Sequence, residues 1–118
     1  MKKILLSIVA IVALTVGVYA QFTEQATGFT AATRGIRNLS AVSSTVVWAS
    51  AYDGSGGGAP CQDITVTTNG GTLWTPHTIT ATPAITNLDI SNVVAVDAQK
   101  AWVCMYPPAA ATAGQGIY

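Results

Sequence analysis

The sequence predicts an all-β chain: a partial repeat fold of about one and a half four-stranded antiparallel units behind an export leader. Three observations predict it. The chain is rich in Thr, Val, Ala and Gly and poor in the Glu, Lys, Arg and Leu that fill helices. It repeats itself at a fixed offset. Its β-branched and aromatic runs alternate with short clusters of turn residues.

The leader comes first. Met1-Lys2-Lys3 is a short positive segment, and Ile4 to Val18 is an apolar run without charge. Val18-Tyr19-Ala20 places small residues where a signal peptidase reads them, so residues 1–20 are expected to be a signal peptide cut before Gln21. The run is too short, with the wrong flanks, for a membrane span. Residues 21–35 follow as an N-terminal strand, in which Phe22-Thr23-Glu24-Gln25 is a candidate ring-closing strand. The first unit covers residues 36–80, and a second, truncated unit covers residues 81–118.

The repeat sets these boundaries. Shifted by 54 positions, Ile36–Tyr52 overlies Ile90–Tyr106 without a gap, with six identities in seventeen positions. The residue types carry the argument, because Trp48 meets Trp102 and Tyr52 meets Tyr106 at the same spacing. Within a unit, Leu39 to Val42 alternates briefly, Ser43 to Thr45 turns, and Val46 to Tyr52 reads as the second strand. Asp53 to Gly58 is a glycine-rich loop. Gln62 to Thr68 is a third strand with Ile64 and Val66 on one face and threonines on the other. Asn69-Gly70 has the composition of a two-residue type I′ turn, and Trp74 to Thr80 returns as the fourth strand. Four antiparallel strands repeated in tandem form the pattern of a β-propeller blade; a β-sandwich is the rival, and the repeat counts against it. Trp48 and Trp102, at equivalent mid-strand positions, both read as core packing.

The segment Thr67-Thr68-Asn69-Gly70-Gly71-Thr72-Leu73-Trp74 resembles the Asp-box, or BNR repeat, whose pattern is Ser-x-Asp-x-Gly-x-Thr-Trp. Thr67, Asn69, Gly71 and Trp74 are its structural positions; Thr67 stands for Ser, Asn69 for Asp and Leu73 for Thr. A short polar side chain at Asn69 can bond amides inside the hairpin, glycine at 71 permits a left-handed turn, and Trp74 supplies apolar area. The resemblance extends to exported Bacteroidetes-type proteins with Asp-box propellers, often delivered by a type IX secretion system. It implies a structural fastener rather than a catalytic element, and a secreted or cell-surface location. The chain ends where its next Asp-box is due, so it reads as an N-terminal fragment of a longer protein.

Charge narrows the function classes. Beyond the leader, Arg34, Arg37 and Lys100 face Glu24, Asp53, Asp63, Asp89 and Asp97, a balance of −2. With no basic patch, nucleic-acid binding is not expected. No second apolar span follows the leader, and one histidine with two cysteines does not make a tetrahedral zinc site. No cofactor is expected. In an up-and-down blade the Asp-box lies on the same side as Ser43-Ser44, and the Asp53 loop lies on the other. That other side holds the ligand-binding candidates Tyr52, Asp53, Asp63 and Arg34.

Sialidases share Asp-boxes but need an arginine cluster and a tyrosine–glutamate pair, and Glu24 is the only glutamate here. A glycosidase needs two converging carboxyl groups; Asp53 and Asp63 read as turn formers. No catalytic residue is assigned. The function expected is a non-catalytic scaffold or binding module for an extracellular glycan or protein, with the export machinery as a further partner. The alternative is the N-terminal part of a carbohydrate-active hydrolase whose catalytic residues lie downstream. Cys61 and Cys104 are an even pair in an exported chain and candidates for a disulfide between adjacent units.

Overall fold

The computed structural model describes residues 23–80, 86–107 and 116–117. The expected leader lies outside them. Among the described residues there is no helix, and all seven strands are antiparallel to their neighbours. The described residues are all-β, as composition predicts.

The first sheet contains β1 (Arg34–Ala41), β2 (Val47–Asp53), β3 (Asp63–Thr67) and β4 (Thr75–Thr78), in that spatial order. The second contains β5 (Asp89–Ala95), β6 (Ala101–Tyr106) and β7 (Gly116–Ile117). Strand β1 begins five residues earlier than Leu39, because its long partner β2 pairs it from Asp53 back to Val47. Residues 23–33, expected to include a strand, form none. They hold to the first sheet through the Thr65 hydroxyl, which donates to the Thr27 carbonyl at 2.9 Å.

The offset of 54 is carried into backbone detail. Each β1-type strand has its register shift at the same place, between Ile36 and Asn38 and between Ile90 and Asn92. The following turns close alike. Val42 and Ser43 donate to the Val46 carbonyl, and Val96 and Asp97 donate to that of Lys100. The turn amides are capped alike too, by Ser43 Oγ in the first and by Asp97 Oδ1 in the second. In the third-strand position, Ile64 lies opposite Ser50 and Ile117 opposite Cys104.

Alternation then decides what is buried. In the first sheet Asn38, Ser40, Trp48, Ser50, Ile64 and Val66 share one face by register. In the second, Ile90, Val93, Val103 and Met105 share one. These two faces pack on each other, with β5 lying on β1 and β2. Trp48, Ile64, Val66, Leu88, Ile90, Val93, Val103 and Met105 form the core. Fully burying each large apolar side chain contributes about 1.5–3 kcal/mol, and a two-sheet stack is what makes that burial available.

Trp102 departs from expectation. It is 58% exposed, whereas Trp48 is 7% exposed. The register puts Trp102 on the face of β6 turned away from the first sheet, where no described residue covers it as β5 covers Trp48.

The Asn69-Gly70 turn also differs. The strands part at Thr67 and rejoin at Thr75, so the connection is a wider loop, and Asn69 has negative φ. The positive φ values belong to Gly70 (69°) and Gly71 (91°), where a side chain would be strained.

Candidate functional site

The Asp-box-like segment is organised by two side chains. Thr67 Oγ1 accepts the amides of Gly71 at 2.9 Å and Asn69 at 3.4 Å, and donates to Asn69 Oδ1 at 3.0 Å. Asn69 Oδ1 also accepts the Leu73 amide at 2.9 Å. Gly70 donates to the Thr45 carbonyl, which joins this loop to the β1–β2 turn on one side of the molecule. Trp74 Nε1 donates to Gln25 Oε1, and a side chain at Gly71 would collide with that same glutamine. The segment fastens residues 23–29 to the first sheet. It presents no reactive group.

The opposite strand ends bring three of the four ligand-binding candidates into direct contact. Register places Arg34 at the start of β1 opposite Asp53 at the end of β2. Arg34 Nη1 reaches Asp53 Oδ1 at 3.3 Å, and Arg34 Nε reaches Asp63 Oδ2 at 2.7 Å. The Asp63 hydrogen bond leads in holding the guanidinium in its charged form. Asp53 is held below the usual carboxylate range, first by the Ser55 hydroxyl and amide and also by Arg34. The second oxygen of Asp63 accepts the Thr78 hydroxyl at 2.7 Å, which ties β4 into the cluster. Tyr52, the fourth candidate, is 40% exposed. Its ring lies across the backbone at Gly35, where any Cβ would overlap it.

Next to this cluster lies a second one that the sequence did not announce. Arg37, on the register shift of β1, donates to the Ile90 carbonyl at 2.8 Å and to the Tyr106 hydroxyl at 3.1 Å. Its guanidinium also pairs with Asp89 at 3.6 Å and lies 5.9 Å from the Tyr106 ring centroid. Asp89, 8% exposed, accepts the Cys61 amide at 2.7 Å. The available signal was the repeat itself. Tyr106 is the mate of Tyr52, and Asp89 stands where the first unit has Gly35.

Chemically, both clusters are spoken for. Arginines, hydroxyls and amides hold Asp53, Asp63 and Asp89. Among the described residues no group of three His, Cys, Asp or Glu converges as a metal site, and no helix is long and apolar enough to cross a membrane.

Cys61 and Cys104, considered for a disulfide, are free thiols. Cys61 is buried at the entry to β3, and that burial pushes its thiol pKa up. Cys104 shares a face with Asn92 and Trp102, the one turned away from the first sheet, so the pair does not meet across the interface. An open apolar cleft of about 480 Å³ is lined by Trp48, Ile64, Ile79, Val96, Trp102 and Val103. Set against known proteins, the chain matches no family model, and no curated protein or solved structure shows significant similarity to it.

Proposed function

We propose that the chain is an exported, non-catalytic scaffold or binding module built from stacked β-propeller blades, acting on a glycan or protein outside the cell. The observation that carries this reading is the state of the carboxylates at the Tyr52 end. Each is engaged by an arginine, a hydroxyl or an amide, whereas a glycosidase needs one carboxyl held as an acid and another free to act. Further support comes from the 54-residue offset, which extends to bulge, turn and cap. A repeated unit stacked face to face is a structural device. The exposed ring of Tyr52, at the same strand ends as the Arg34 cluster and lying across Gly35, offers a flat apolar surface suited to a sugar ring or peptide.

The test is to present the purified full chain to insoluble and immobilised polysaccharides and measure retention together with release of reducing ends. Retention without release is expected, with Tyr52→Ala binding about tenfold more weakly. Release of reducing ends by the chain would overturn the reading.

A further inference from the structure

The contact between the two sheets is made by two different surfaces. The first sheet contributes the face of Asn38, Ser40 and Trp48, and the second contributes the face of Ile90 and Val93. Directional bonds set their relative position. Asn38 Nδ2 donates to the Ser91 carbonyl at 2.8 Å, the Ala95 amide donates to Ser40 Oγ at 2.9 Å, and Trp48 Nε1 donates to the Asp97 carbonyl at 2.8 Å.

The offset of 54 reproduces both surfaces elsewhere on the same chain. Asn92, Val94 and Trp102 repeat the first surface, and Ile36 and Leu39 repeat the second. Both repeats are open to solvent: Trp102 is 58%, Val94 49%, Leu39 65% and Ile36 37% exposed. Residues 23–29 do not close the second of these. They hold to it at Thr65 and Trp74, and Gln25 and Thr27 border the pocket that Ile36 and Leu39 line, but Leu39 stays 65% exposed.

We propose that these two surfaces dock on each other between copies, so that the Trp102 face of one chain receives β1 of a second copy of this chain. The occupant follows from continuity with the interface already present. The surface that covers Trp48 is the Ile90–Val93 strand, and β1 carries its counterpart. In that arrangement Trp102 Nε1 donates to the carbonyl of Ser43 in the second copy, the position equivalent to Asp97. The Asn92 amide donates to that of Arg37, the position equivalent to Ser91. Val94 replaces Ser40, so the third bond is missing and the contact is weaker than the one within the chain. Because the two surfaces differ, the association is heterologous. Each added copy leaves one face of each kind open, and growth continues unless the rotation closes a ring.

Sedimentation of the full chain across a rising concentration series tests this, with Trp102→Glu and Leu39→Glu as blocking variants. Both positions are exposed, and far-UV circular dichroism checks that the sheets are kept. The wild-type chain is expected to shift from monomer to dimer and then larger species. Each variant alone is expected to lose association, and an equimolar mixture of the two is expected to regain it as a dimer and stop there. Three results would overturn the proposal: a wild-type chain monomeric throughout, assembly that survives both substitutions in one chain, or assembly lost with Trp102→Glu but kept with Leu39→Glu. The last would mean that Trp102 faces pair with each other. The wild-type series decides the question even if a variant fails to fold.

Discussion

Asn69 sits where the chain must leave β3 and return as β4, and one oxygen of its side chain serves two donors. Its Oδ1 accepts from the Thr67 hydroxyl and the Leu73 amide. Asn69→Ala strands both donors and is expected to cost about 1–2 kcal/mol. Asn69→Asp keeps the acceptor and should stay within about 0.5 kcal/mol of the natural chain. Urea unfolding of the two variants separates these outcomes. The polar roles of Thr67 and Asn69 were legible in the sequence, because short side chains with acceptor oxygens favour local backbone bonds. The turn type was not. Asn69-Gly70 carries the composition of a tight hairpin, but Gly71 extends the left-handed stretch and the Thr67 hydroxyl rewards the longer path with two amide bonds. The Arg34 cluster has a similar history. Its members were recognisable as polar residues beside a loop, but Arg34 is 19 residues from Asp53 and 29 from Asp63. Only the strand register brings them together.

At the level of strands, the two equivalent tryptophans separate what periodicity can tell from what it cannot. Their shared position fixes which face of β2 and β6 each occupies. It carries no information on what lies over that face. Trp48 is covered by β5 and donates to the Asp97 carbonyl, whereas Trp102 is open. Trp48→Ala is therefore expected to cost about 3–5 kcal/mol through the cavity it leaves. Trp48→Phe should cost about 1–2 kcal/mol, mainly for the carbonyl that loses its donor. Trp102→Ala should cost the monomer less than about 1 kcal/mol. Thermal unfolding at a concentration too low for association compares the three, and similar losses at both tryptophans would contradict the burial difference. Strand lengths were misread for a related reason. Alternation is legible only from Leu39, but β1 is held back to Arg34 by pairing with β2 and by the ion pairs of Arg34.

For the whole molecule, the question is whether the two sheets are one cooperative body. The second sheet has two full strands and a two-residue third, and so small a sheet is not stable alone in water. Its apolar face is completed by Trp48, Ile64 and Val66 of the first. Arg37 adds a polar clamp across the seam, reaching the Ile90 carbonyl, the Tyr106 hydroxyl and Asp89 with one guanidinium. A single unfolding transition is expected, with tryptophan fluorescence and far-UV circular dichroism superimposing. Arg37→Ala should lower stability by about 1–3 kcal/mol, since the mostly buried Asp89, the Ile90 carbonyl and the Tyr106 hydroxyl each then lose a partner. Arg37→Lys should restore only part of this, because an ammonium cannot span three acceptors as a planar fork does. If the clamp serves only local packing, both probes in Arg37→Ala will shift together by less than about 0.5 kcal/mol. If it couples the sheets as the geometry indicates, the loss will be larger and the two probes will begin to separate. The fluorescence change should then come first, because Trp48 reports the seam.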